Sequence, residues 1–320
     1  MPRRRDWQQL SRACTALGYT LRQLDSGLWQ IEDGARCLPL PPGYWPMNTH
    51  AACAIAIDKR HSHALLRDHG VDTPQQLEIL LDERLDERLG DVRQQIDDWG
   101  FPVFVKPDKG SLGQLAARVA HHEQLAQHLR LTAQRYHCAL IQRYIEQPEY
   151  RLFYLRGEML FHYRRHPPSI IGDGQRSLSQ AVDDLCRQSP AFDPDYGLDK
   201  NWILEQLLRH KLTWNSVVPA GLTIRLGACS NLISGGQFSD FSQQPLPACE
   251  QWLNRIARLF RLELFAVDLF SASQLRDPTD FCVIDINSNP QLESLDYFNQ
   301  DHLRQQIWQK ILQLAMSRGG

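Results

Sequence analysis

The sequence contains no run of roughly 18 apolar residues, so it offers no membrane-spanning helix. Its start lacks the apolar core of a secretion signal. Eight cysteines (Cys14, Cys37, Cys53, Cys138, Cys186, Cys229, Cys249 and Cys282) are scattered without a C-x-x-C pair or a histidine at zinc-finger spacing. They read as small buried fillers in a reducing compartment, which places the chain in the cytoplasm. Charge of one sign is missing too, since 35 Lys and Arg meet 37 Asp and Glu for a formal net charge of -2. That balance gives no push toward nucleic acid or an acidic partner, and Pro2-Arg3-Arg4-Arg5 is read as a solvated terminus. Neither the G-x-x-x-x-G-K-[ST] loop nor G-x-G-x-x-G occurs, which sets aside two common phosphate-binding designs.

What is present is an ordinary globular composition, 42% hydrophobic and 22% charged over 320 residues, enough for two or three packed units. The chain is organised around Phe101-Pro-Val-Phe-Val-Lys-Pro-Asp-Lys-Gly-Ser-Leu-Gly113. Its apolar run reads as a short buried strand delivering Lys106 into a loop that carries Lys109, Gly110, Ser111 and Gly113. Backbone N–H groups of such a loop form an anion nest and the lysines add charge, which suits a polyphosphate. A hairpin turn with two solvated lysines fits the same residues equally well.

Taken in order, residues 6–17 read as a helix stopped by Gly18, followed by strands near 28–31 and a Pro/Gly-rich loop at 40–46. Apolar positions from His50 to His69 recur at helical spacing, closed by Gly70. Gln75 to Trp99, with its tandem Asp-Glu-Arg-Leu, reads as one or two surface helices laced by charge pairs. Strands follow near 116–119, 139–145, 149–155 and 159–165, with alternation putting Glu149 and Arg151 on one face, Tyr150 and Leu152 on the other. Ser177 to Gln180 is a capping box, residues 187–215 and 226–246 read as loop-rich, and the last helix covers 301–316.

Two late strands carry the sharpest chemical signal. In Phe281-Cys-Val-Ile-Asp-Ile-Asn287 the period of two puts Asp285 and Asn287 on one face, and Asp268 interrupts the apolar strand 264–270. A carboxylate in such a strand must be paired or bound to a cation. Hard oxygen donors suit magnesium bridging phosphates, with manganese as the alternative. The plain structural alternative has Asp268 at a strand end and Asp285 meeting a lysine.

Asp58-Lys59 before a helix, residues 101–113, Gln142 to Glu149, Asp268, and Asp285-Ile-Asn-Ser-Asn-Pro290 occur in that order. Together they resemble the ATP-grasp superfamily of carboxylate–amine ligases. Residues 165–174, 216–221, Arg225 and 230–236 with Asp240 resemble the ATP-grasp part of cyanophycin synthetases and of bifunctional glutamate–cysteine ligase/glutathione synthetases. The resemblance implies an α+β ATP-grasp fold in which two α/β lobes hold ATP between them. It divides the chain into a small N-terminal α/β unit (1–72), a nucleotide-binding lobe (73–145), and a C-terminal lobe with the magnesium and substrate site (146–320).

The resemblance also implies roles. Lys59 and Lys106 hold nucleotide phosphates under a lid at 109–113. Gln142 reads the adenine amino group, where a Gln carbonyl can accept, with Ile145 beside it, and Glu149 binds the ribose. Arg151, Arg165 and Arg225 act as the catalytic arginines, holding the transferred phosphoryl or the substrate carboxylate. Two departures stand out, Asp285 in place of a usual glutamate and His63 where relatives often have a second lysine.

The expected activity is ATP-dependent joining of an amino acid or short-peptide carboxylate to an amine through an acyl phosphate. A ligase acting on a peptide or protein side chain, and an idle ATP-binding module, are the alternatives. Small amino acid or peptide substrates are the expected partners, without nucleic acid or membrane, and a homodimer stays open.

Overall fold

The computed structural model describes residues 2–109, 113–189 and 192–317. Helix α1 (Pro2–Leu17) leads into an antiparallel meander of β1 (Thr20–Gln23), β2 (Trp29–Glu32) and β3 (Cys37–Leu40). Next come α2 (His50–Ile57) and α3 (Lys59–Asp68). The single helix expected over 50–69 is corrected here. Asp58 takes an extended backbone (φ −81°, ψ 106°), ends α2, and caps α3 by accepting the N–H groups of Arg60 and His61. A short carboxylate that can satisfy two free helix donors breaks a run that apolar spacing alone would continue. Lys59 thereby becomes the first residue of a new helix.

The next unit comprises β4 (Gln76–Leu80), α4 (Leu85–Trp99), β5 (Val103–Pro107), β6 (Ala117–Val119), α5 (His122–Ala133) and β7 (Cys138–Arg143). Its sheet runs β4-β7-β5-β6, and β5 pairs antiparallel with both β7 and β6. The reading of 75–99 as purely helical is corrected by β4, which lies opposite β7 with Gln76 facing Gln142. Leu77 and Ile79 alternate into a core shared with Val105, Leu125 and Ile141. Five residues of period two outweigh a charged neighbourhood when one face can be buried.

The remainder contains β8 (Glu149–Leu155), β9 (Glu158–His166), β10 (Ser169–Ile171), α6 (Leu178–Gln188), α7 (Pro194–Gly197), α8 (Lys200–Arg209) and β11 (Thr223–Arg225). It continues with β12 (Gln237–Ser242), α9 (Pro247–Phe260), β13 (Leu264–Phe270), β14 (Cys282–Asn287), α10 (Ser294–Tyr297) and α11 (Asp301–Ser317). An antiparallel sheet of five strands runs β12-β9-β8-β13-β14. Strand β12 falls in a stretch expected to be loop. The capping box at Ser177 and Gln180 is formed, both hydrogen bonds being present.

Each face of this sheet has its own task. Tyr150, Leu152, Phe265, Val267 and Leu269 pack under Trp252, Ile256 and Phe260 of α9. On the opposite face Phe153, Leu155 and Ala266 join Leu10, Trp29, Ile307 and Trp308, which belong to α1, β2 and α11. Further along that same face the side chains change to Glu149, Arg151 and Asp268. Apolar and ionic zones therefore share one surface of one sheet, and the ionic zone opens toward the neighbouring lobe. The early segment is fastened to it by Asn48, whose Nδ2 donates to the carbonyls of Leu264 (2.6 Å) and Ser288 (2.7 Å), and whose Oδ1 accepts from Glu263 N (2.8 Å). No helix among the described residues is long and apolar enough to cross a membrane.

Candidate active site

A cleft of about 870 Å³ lies between the two larger sheets. Lys59, Lys106, Lys109, Gly113, Gln142 and Ile145 line it. Glu149, Arg151, Arg165, Arg225, Asp268, Asp285 and Asn287 line it as well. These are all the candidates that fall on described residues; Gly110 and Ser111 lie outside them.

The floor follows from strand register. Arg151 on β8, Asp268 on β13 and Asp285 on β14 stand directly opposite one another. Arg165 on β9 faces Glu149 on β8. Arg151 grips Asp268 with two bonds, Nε to Oδ1 at 2.6 Å and Nη2 to Oδ2 at 2.7 Å. Arg165 Nη1 lies 2.8 Å from Asp268 Oδ2 and 2.9 Å from Glu149 Oε1, and its Nε donates to Ser230 O at 3.2 Å. Burial raises the Asp268 carboxyl, but the two guanidinium groups outweigh it and hold the group down to about 2. Glu149 goes the other way: burial pushes it up despite Arg165. The expense of an ionised carboxylate within a strand is thus met here by two arginines.

The wall above carries the lysines. Lys106 leaves the end of β5, and its Nζ donates to Ile284 O at 3.4 Å. Burial, only partly offset by Asp285, pushes this ammonium down to about 8. Lys59 Nζ is 3.8 Å from Asp285 Oδ2. Lys109 Nζ is 3.6 Å from Asp58 Oδ2, and Arg225 Nη2 is 3.1 Å from Glu146 Oε1. Excess positive charge therefore gathers over a floor whose carboxylates are already matched, an arrangement suited to a polyanion.

At the rim, Gly113 has φ +72°, and a Cβ there would overlap the Asn231 amide. The left-handed backbone favours glycine, and a larger residue would also have to push the Asn231 amide aside. Cys229 Sγ donates to Ala116 O at 3.5 Å, so the β5–β6 turn rests on the 229–231 loop. Burial pushes the Cys229 thiol up to about 12, and it supplies no thiolate. The same hairpin is held by Arg118, which stacks 4.7 Å from the Trp202 ring centre and lies 3.7 Å from Glu205.

Oxygen donors for a cation are Asp285, Asn287 and whatever Asp268 has left. Among the described residues no cluster of three or more His, Cys, Asp or Glu forms a ligand set. Asn287 Nδ2 lies 3.4 Å from Asp268 Oδ2. Asp285 and the Asn287 amide oxygen, with what the two arginines leave of Asp268, fit magnesium that takes most of its ligands from phosphates and water, and do not fit a fully protein-bound metal.

Three contributors escaped the sequence reading. Gln76 was placed in a helix, although its register partner Gln142 marks it as a strand residue. Arg118 had no visible partner, because Trp202 lies 84 positions away. Trp45 sat in a loop, yet its N donates to Asn289 Oδ1 (3.1 Å) and its Nε1 to Pro290 O (2.7 Å), fixing the loop after β14.

No family model matches the chain. Among curated proteins it is 24% identical over 252 residues to the cyanophycin synthetase of Synechocystis sp., covering 74% of this chain and 28% of that protein. It is 28% identical over 227 residues to the glutathione biosynthesis bifunctional protein of Streptococcus agalactiae, covering 66% of this chain and 30% of that one. The chain thus spans less than a third of the length of these relatives. Among solved structures, the bifunctional glutathione synthetase of Pasteurella multocida superimposes with a TM-score of 0.53 at 21% identity, over 89% of this chain and 40% of that one. The fold is that of the ATP-grasp superfamily, as the ordered motifs implied.

Proposed function

We propose that the chain is an ADP-forming carboxylate–amine ligase that activates a carboxylate as an acyl phosphate and joins it to an amine. The observation that carries this reading is the row Arg151–Asp268–Asp285, in register across three strands beneath Lys59 and Lys106. The two named relatives, cyanophycin synthetase and the glutathione biosynthesis protein, support it.

In this mechanism Lys59 and Lys106 bind the phosphates of ATP, Gln142 and Ile145 border the base, and Glu149 takes the ribose hydroxyls. Lys109, Gly110, Ser111 and Gly113 form the cover that keeps water from the activated acid. Arg151, Arg165 and Arg225 orient the acceptor carboxylate and the γ-phosphate, whose mutual repulsion is the main obstacle to reaction. Asp268, Asp285 and Asn287 would hold magnesium or manganese, which screens phosphate charge. The carboxylate oxygen attacks the γ-phosphorus and ADP leaves. The amine then attacks the acyl carbon, phosphate departs, and an amide remains.

The substrates fitting this chemistry are an amino acid or short peptide and an amino-acid amine. Incubation with ATP, magnesium and pairs of amino acids, followed by ADP measurement and mass spectrometry, tests the proposal. ADP release dependent on two substrates, with their condensation product, supports it. Absence of ATP binding by the folded protein overturns it.

A further inference from the structure

Behind Gln142 lies a closed chain of polar groups that no step above uses. Gln142 Nε2 is 2.9 Å from Gln76 Oε1, and His63 Nδ1 is 2.9 Å from the same oxygen. The other ring nitrogen, His63 Nε2, is 3.1 Å from Ile284 O, the carbonyl that also accepts from Lys106. Gln76 Nε2 is buried without a partner among the described residues. His63 itself is 0% exposed.

The hydrogens on these atoms are constrained. A second cation beside the Lys106 ammonium, on a ring with no exposed surface, is strongly disfavoured, so the imidazole is neutral and carries one N–H. Burial, reinforced by Lys106, pushes His63 down to about 4. With Gln76 Oε1 facing the ring, one of the two histidine contacts must set a nitrogen lone pair against a carbonyl oxygen. An amide can turn by 180° and exchange its N and O without moving its neighbours. If Gln76 and Gln142 both turn, His63 Nε2–H donates to Ile284 O, and Gln76 Nε2 donates to His63 Nδ1 and to Gln142 Oε1. The orphaned NH2 disappears and only a carbonyl is left short of a partner, the less demanding of the two deficits.

On the reading of this cleft as a nucleotide site, we infer that His63 and Gln76 hold Gln142 so that its NH2, not its carbonyl, faces the bound base. The base is then read as an acceptor. A 6-oxo purine, as in inosine nucleotides, meets a donor there, whereas the adenine amine sets donor against donor. His63 and Gln76 are positioning residues; Gln142 makes the contact.

Titration calorimetry with magnesium-ADP and magnesium-IDP tests this without turnover. The wild-type protein is expected to bind IDP at least as tightly as ADP. Gln76→Glu offers only acceptors, forces Gln142 to donate backward and present its carbonyl, and is expected to move the ratio toward ADP by about tenfold or more. Gln142→Glu, acceptor-only at the contact itself, shifts the ratio the same way and serves if the first variant fails to fold. A wild-type preference for ADP above about tenfold, or a ratio unmoved by a folded variant, overturns the inference while leaving the ligase reading intact. Binding of neither nucleotide overturns both.

Discussion

Replacing Asp268 by Asn removes one charge and almost no volume, which makes it the sharpest probe of the sheet floor. The carboxylate is 5% exposed and takes two bonds from Arg151 and one from Arg165. After the change Arg165 keeps Glu149 at 2.9 Å, but Arg151 loses its counter-charge and keeps at most one of its two bonds, to the amide oxygen, the other N–H now facing an NH2 that cannot accept. Breaking a buried pair in this way costs about 3–5 kcal/mol. The titration of the group gives an independent figure. A shift from about 3.9 in the unfolded chain to about 2 in the fold corresponds to roughly 2.6 kcal/mol at neutral pH. Because the folded value is the lower one, this stability is complete above the unfolded pKa and is lost as pH falls through about 2. The assay is urea unfolding at pH 7, where the midpoint should drop with the slope unchanged. A control replaces both partners, Arg151→Met with Asp268→Leu; it should recover most of the stability and none of the ADP formation. A loss below about 0.5 kcal/mol for Asp268→Asn would refute the reasoning, since it would mean that other groups neutralise both guanidiniums.

Lys106, pushed down to about 8 by burial, is expected to hold phosphate best while charged, so the Kd for ADP should rise on going from pH 7 to 9.5, and not in Lys106→Met. The stability effect has the opposite sign: the unfolded chain holds this proton more tightly, so the fold gains as pH climbs from about 8 toward the ordinary lysine range. Arg118→Ala, which frees the hairpin from Trp202 and Glu205, should raise ADP release without product several-fold while nucleotide binding changes little; an unaltered ratio of ADP to product in coupled assays would count against a closing role. Asn48→Ala leaves backbone groups of Glu263, Leu264 and Ser288 without their partner, and thermal unfolding should show a loss of about 2–3 kcal/mol.

How far the sequence could be read depended on whether a feature was local. The strands around Asp268 and Asp285 declared themselves through apolar runs interrupted by those aspartates, and Ser177 with Gln180 through a four-residue signature. Asp58 did not, because its capping role competes with a helical pattern that runs on through both sides of it. Strand β4 was concealed by the charged tandem that follows it, and β12 by small residues with little apolar alternation. The pairing of Asp268 with Arg151 and Arg165 is a matter of register between segments more than a hundred positions apart. Sequence spacing carries no such information, so the aspartate announced a charged partner without saying whether it was a metal or an arginine. Among the candidates on described residues, all line the cleft: Lys59 opens α3, and the others sit toward the cleft end of a strand or in an adjoining loop.

The three strands under the site act as a ruler. Arg151, Asp268 and Asp285 are separated by the spacing of neighbouring strands, roughly 4.8 Å, which hydrogen bonding along the ladders keeps from stretching. A side chain one methylene longer or shorter cannot be accommodated by sliding a strand, since a one-residue slip would send every charge to the α9 side and every apolar residue into the cleft. The groups proposed to act on phosphate are therefore locked to the core that holds the lobe together. The loops at 226–236 and 287–291 are bound by no such pitch. On the proposed ligase reading, what is joined and how it is joined would be written in separable parts of the chain: grafting those loops between relatives should change the acid or amine accepted while the proposed phosphoryl chemistry stays as it is.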